Sequence, residues 1–129
     1  MQITRQADYA IRAIDYLARI SSNGKTSTAE IAKQQDIPSA FLAKIIAQLA
    51  LSGIVSTTRG AQGGVHLARP SDEITLLEIV EIIDGPIRLT DCSHTEDDCQ
   101  VKNCSVQHAW KAAENDLVAR LKKTTFANA

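Results

Sequence analysis

Ile54-Val55-Ser56-Thr57-Thr58-Arg59-Gly60-Ala61-Gln62-Gly63-Gly64-Val65-His66-Leu67-Ala68 is the stretch that decides the fold. Ile54 to Thr58 is a short β-branched run, Arg59 to Gly64 a glycine-rich tight turn and Val65 to Ala68 a returning strand, so the segment reads as a β-hairpin. Glycines 60, 63 and 64 permit positive φ and a close backbone approach to a surface. Arg59 sets a cation at the tip, suited to a phosphate or a narrow minor groove.

What precedes the hairpin gives it a role. Ser27 and Glu30 have capping-box spacing and open a helix over Thr28 to Gln35. Asp36-Ile37-Pro38 breaks that helix, because proline disfavours helical geometry in the residue before it, and Ser39 offers a second cap. The next helix, Ala40 to Leu51, buries Leu42, Ile45, Ile46 and Leu49 and stops at Gly53. Two helices across a short turn form a helix-turn-helix, whose second helix enters the DNA major groove; a hairpin directly after it is a wing. The expected contacts to double-stranded promoter DNA are Ser39, Ala40 and Lys44 on the early, exposed side of the second helix, with Arg59 and Gln62 from the wing.

On the N-terminal side, Ala7, Ala10, Ile11, Ile14, Leu17 and Ala18 repeat at helical spacing between Thr4 and Ile20, opposite a charged stripe of Asp8, Arg12, Asp15 and Arg19. Ser21-Ser22-Asn23-Gly24 ends this first helix. After Pro70, Thr75 and Glu78 make a second capping box for a short apolar helix (Leu76, Ile79, Val80, Ile82, Ile83) that ends at Gly85-Pro86. Beyond Cys104, Val106, Trp110, Ala113, Leu117 and Leu121 step by three and four along a last helix ending among Lys122 and Lys123, with Thr124 to Ala129 expected to fray. That stripe needs a partner. A palindromic DNA site demands a two-fold dimer, so pairing with the symmetry mate is the economical reading, against packing on its own domain.

The expected architecture is mainly α with a small β-hairpin wing: a winged helix-turn-helix plus a long C-terminal dimerisation helix. Residues 1–70 form the DNA-binding region and 71–129 the cofactor-binding loop and dimerisation helix, in one compact domain. The net charge of -1 conceals the same division. Residues 1–70 carry 8 Lys/Arg and 4 Asp/Glu, residues 71–129 carry 6 and 11, a basic reader followed by an acidic half. No apolar run approaches the roughly 20 residues of a membrane helix, and Met1 opens directly into an amphipathic pattern, so the expectation is a cytoplasmic protein with no membrane partner.

All three cysteines, Cys92, Cys99 and Cys104, fall within 13 residues of an acidic stretch without periodicity. An odd number without a secretion signal points to a metal or redox site rather than a disulfide framework. The C-x6-C-x4-C spacing lacks the C-x2-C pairs of zinc ribbons, which favours an iron–sulfur cluster over zinc; a cofactor-free regulator with a thiol switch is the other reading. No catalytic base is paired to a nucleophile and Cys99 has no C-x-x-C partner, so no enzyme is expected.

The chain resembles, over essentially its whole length, the iron–sulfur-sensing winged-helix regulators that include IscR, NsrR and RirA. The resemblance rests on Ile3-Thr4-Arg5-Gln6-Ala7-Asp8-Tyr9-Ala10-Ile11-Arg12-Ala13, on Ile37-Pro38-Ser39-Ala40-Phe41-Leu42 leading into Ile45 and Leu49, and most specifically on the wing string from Arg59 to Ala68. It implies a homodimeric regulator, in the main a repressor, that binds a palindromic site and holds a 2Fe–2S or 4Fe–4S cluster on Cys92, Cys99 and Cys104. The family commonly spaces its cysteines C-x5-C-x5-C; here the outer separation is kept and Cys99 is displaced by one. The resemblance offers two fourth ligands: His108, one residue beyond the histidine position of IscR-like proteins, where this chain has Gln107, and Asp8, which matches an aspartate that NsrR-like proteins supply across the dimer. The alternatives are an i,i+4 pair of Asp8 with Arg12 and ordinary surface positions for His94 and His108.

Overall fold

The computed structural model describes residues 2–20, 26–60, 63–90 and 106–128. Helix α1 spans Arg5–Arg19, capped by the Thr4 hydroxyl, which accepts from the Ala7 N–H. Its buried face is Ala7, Ala10, Ala13, Ile14 and Leu17. Three alanines on that face let neighbouring helices approach closely, which makes α1 the hub of the fold.

Helix α2 spans Thr28–Gln35, and α3 spans Ser39–Leu51. The Ser27 hydroxyl accepts from the Glu30 N–H at 3.0 Å, but the Glu30 carboxylate accepts from Gln34 Nε2 instead of reaching back, so only half of the expected capping box forms. The turn between the helices is made by Asp36, the sole positive-φ non-glycine among the described residues (φ 53, ψ 51). Aspartate tolerates this left-handed conformation better than most residues, and it turns Ile37 into the core. Pro38 then takes the cap position, so Ser39 is the first helical residue and makes no capping bond, contrary to the sequence expectation.

Strand β1, Val55–Thr58, pairs antiparallel with β2, Gly64–Leu67, with Val55 opposite Leu67 and Thr58 opposite Gly64. On the other edge of β2, Thr26 and Val65 exchange backbone hydrogen bonds, fastening the wing to the segment that enters α2. Ile54, Val55 and Val65 join the core formed by Ile14, Ile31, Leu42, Ile45 and Leu49.

A short 3-10 turn, Ser71–Glu73, leads to helix α4, Leu76–Asp84, which has the full reciprocal capping box of Thr75 and Glu78. Arg69 grips the same carboxylate with two bonds, at 2.8 and 3.2 Å. The hydrogen bond from Arg69 is the main reason the Glu78 carboxyl titrates below the usual carboxylate range, against an opposing contribution from burial. A depressed native value means that the stability from this pair is present above the ordinary range and lost as pH falls through the lowered value. Urea stabilities of the wild type and Glu78→Gln should therefore diverge at neutral pH and converge in that acid window. Parallel profiles would contradict this.

Helix α5 spans Gln107–Lys123. Leu117, Val118 and Leu121 pack against Leu77, Val80 and Ile87, so the C-terminal half of the helix rests on its own domain. Against the expectation of fraying, residues 124–128 are held in place. The Leu76 N–H donates to the Thr124 carbonyl, the Phe126 N–H donates to the Ile74 carbonyl, and Phe126 is 8% exposed within the main core. One buried aromatic holds a segment whose other residues are small and polar. Among the described residues, no helix is long and apolar enough to cross a membrane.

Candidate nucleic-acid interface

The reader carries two kinds of cation. Arg12 and Arg19 are neutralised one turn back by Asp8 at 2.6 Å and Asp15 at 3.1 Å, and Arg69 by Glu78. Lys33 on α2, Lys44 on α3 and Arg59 just after β1 are exposed and make no ion pair among the described residues. Of the four cations of residues 1–70 that are unpaired among the described residues, three thus lie on the helix-turn-helix and the wing, the elements with which a winged helix approaches a phosphate backbone, and the fourth is Arg5 at the start of α1.

Helix α3 buries Leu42, Ile45, Ile46 and Leu49 and leaves Ser39, Ala40, Phe41, Ala43, Lys44, Ala47 and Gln48 exposed. Ser39, Ala40 and Lys44 thus lie on the accessible face expected of them; Gln62 lies outside the described residues. Lys33 and Gln48 were not singled out by sequence reasoning. The sequence carried no signal for Lys33, since Glu30 at i−3 and Asp36 at i+3 both offered it a partner.

The wing glycines divide their work differently from the expectation. Gly60 has φ +105, the conformation that favours glycine, whereas at Gly63 and Gly64 the space around the residue is what decides. Their lack of a Cβ serves close approach within the wing: a Cβ on Gly63 would overlap the Thr58 carbonyl, and one on Gly64 would lie 2.8 Å from the Thr26 carbonyl oxygen. Gly64→Ala is expected to push β2 from Thr26 and cost about 1–3 kcal/mol in chemical denaturation. Wild-type stability in that variant would contradict the packing.

Of the expected sensor residues, Cys92, Cys99 and Cys104 lie outside the described residues, as does His94. Asp8 is half-exposed and held by Arg12, the i,i+4 arrangement. The Arg12 guanidinium lies 5.8 Å from the centre of the Tyr9 ring, and Tyr9 lies 6.5 Å from Phe41 of α3. His108 is exposed on the first turn of α5. Among the described residues, no three His, Cys, Asp or Glu side chains come together in a way that would hold a metal ion, and Asp8 and His108 share no such group.

Glu114 was missed by sequence reasoning. It is 3% exposed, accepts from the Leu89 N–H at 3.1 Å and pairs with Lys111 at 3.2 Å, fastening the chain three residues before Cys92 to α5. Its burial depends on a segment 25 residues away, for which helical periodicity gives no signal. Near this anchor the apolar stripe of α5 is open: Val106 is 52% and Trp110 44% exposed.

A helix-turn-helix with free cations, followed by a glycine-shaped hairpin bearing an arginine, defines a winged-helix DNA-binding protein. Residues 3–129 match the Rrf2 family, described as iron-dependent transcriptional regulators, and the chain belongs to that family. It is 36% identical over 119 residues to Protein aau3 of Rhizobium meliloti (strain 1021), covering 89% of this chain and 75% of that protein. It is 31% identical over 129 residues to a Mycobacterium tuberculosis protein described as an HTH-type transcriptional regulator, covering 99% and 80%. Among solved structures, T. potens IscR superposes with a TM-score of 0.81 at 24% identity, covering 99% of this chain and 85% of that one. CymR, described as the global cysteine regulator of B. subtilis, gives 0.84 at 22% identity, covering 99% and 95%. The chain is a DNA-binding transcription regulator and not an enzyme.

Proposed function

We propose that this chain is a homodimeric repressor whose DNA affinity is set by an iron–sulfur cluster held on Cys92, Cys99 and Cys104, with residues 1–70 reading promoter DNA and 71–129 carrying the cofactor and the dimer helix. The observation that carries this reading is the placement of the cysteine stretch. It begins three residues beyond the backbone N–H that Glu114 holds on α5 and ends just before the open apolar face at Val106 and Trp110. A signal in that stretch thus has a fixed mechanical reference in the helix that offers a dimer surface.

The donor chemistry fits the group: thiolates are the usual ligands of iron–sulfur iron, and a carboxylate or imidazole can complete the set. Asp8 and His108 remain the residues proposed to do so. Asp8 is already partly hydrated, so exchanging Arg12 for another partner carries little desolvation cost. When bound, a cluster supplies an exchangeable, redox-sensitive ligand set. The chain's own part is mechanical. Releasing Asp8 frees Arg12 from its place against Tyr9, and Tyr9 packs on Phe41 of the helix proposed to sit in the major groove.

The Asp8–Arg12 pair also favours a second reading, a thiol or zinc switch in which Asp8 stays structural. Iron and sulfide analysis with an absorption spectrum, on protein purified without oxygen, separates the two. Matched iron and sulfide with broad visible bands support the cluster; a colourless, iron-free protein that still binds DNA supports the thiol or zinc switch.

A further inference from the structure

We propose that this regulator selects A·T-rich half-sites, reading thymine methyl groups with the outward face of α3 and a narrowed minor groove with Arg59. The inference rests on the placement of α3 and the wing on DNA given above and adds the base preference. At about 100° per residue, the side of α3 opposite the buried Leu42, Ile45, Ile46 and Leu49 carries Ala40, Lys44 and Ala47, flanked by Ala43 and Gln48.

The base edges sort by what such a face can reach. Cytosine's amino group is read by Asp or Glu, and α3 has neither; guanine is read by Arg or Lys, and α3 offers only Lys44. Adenine is read by Asn or Gln, and the Gln48 carboxamide is exposed with no hydrogen bond among the described residues. Thymine's methyl is met by small apolar side chains, and three alanines present them.

The wing gives an independent indication. Arg59 has no counter-ion among the described residues and stands beside Gly60, whose positive φ turns the hairpin at that point. An unpaired arginine favours a narrow, strongly negative minor groove, which is a property of A·T tracts.

The test is selection of sites from a random duplex library by the full-length chain at fixed salt, followed by base-analogue substitution in the selected site. The expected half-site is A·T-rich. Replacing thymine by uracil at positions under α3 removes only the methyl and should weaken binding by about fourfold per methyl removed. Inosine·cytosine pairs, which keep the A·T minor-groove edge, should be tolerated under the wing where guanine·cytosine pairs are not. G·C-rich selected sites, or a uracil duplex bound as tightly as its thymine parent, would overturn the proposal. Lys44→Ala and Arg59→Ala on unselected duplex report the placement separately. If neither weakens binding, the placement fails and the base preference with it. If both weaken binding while uracil has no effect, only the base preference fails.

Discussion

The Lys44→Ala/Arg59→Ala double variant is expected to bind every duplex more weakly, by about a hundredfold at low salt, with a salt slope shallower by about one for each phosphate left without its cation. The reason is electrostatic. Six of the reader's arginines and lysines are Arg12, Arg19, Arg69, Lys33, Lys44 and Arg59, and the first three are already paired with Asp8, Asp15 and Glu78. Every cation removed lowers the net charge alike, but one already held by a carboxylate takes no phosphate contact with it, whereas a free one on α3 or the wing takes a counterion-release site, and a dimer loses it twice. Arg19→Ala, which removes one cation paired with Asp15, is the control when losses are compared per charge removed, and its affinity and salt slope should stay near wild-type values. Fluorescence anisotropy across a salt series reads both quantities. Equal losses per charge removed in the double variant and the control would mean that net charge, not the helix-turn-helix and wing, drives binding.

Phe126→Ala is expected to cost about 3–5 kcal/mol, a large part of the stability of a domain this size. Phe126 enters the same core as Ile14, Leu42 and Ile74, and its backbone N–H donates to the Ile74 carbonyl. Losing the ring opens a cavity beneath the start of α4 and loosens the segment that closes α5 against it. Phe126→Leu keeps most of the volume and should recover the larger share of the loss. Thermal and urea unfolding of the three proteins test this; an alanine variant that unfolds like the wild type would mean that the ring contributes no packing.

The contrast between these residues shows what was legible in the sequence. Capping spacing at Thr75 and Glu78, the apolar period of α3 and the β-branched runs around the wing are short-range signals, and each element lies within a residue of where they placed it. Phe126 and Glu114 were not legible, because their burial is decided by Ile74 and Leu89, far away in the chain. Ser39 was misassigned as a cap because Pro38 itself takes the cap position with extended backbone (φ -58, ψ 129), which makes Ser39 the first residue of α3. In the long C-terminal helix, periodicity located the apolar stripe but not its division into a half packed on α4 and a half left open.

In the proposed switch, the cysteine stretch governs a DNA reader built elsewhere in the chain. The decisive experiment is the affinity of the full-length protein for one selected duplex at fixed salt, measured on anaerobically prepared protein before and after iron chelation, alongside a variant with Cys92, Cys99 and Cys104 all changed to serine. Chelation is expected to shift the wild-type affinity by at least about tenfold, a coupling of the usual allosteric size, while the serine variant binds with one affinity in both conditions. Identical wild-type affinities before and after chelation, in protein shown to have carried iron, would mean that the cysteine stretch does not control the reader.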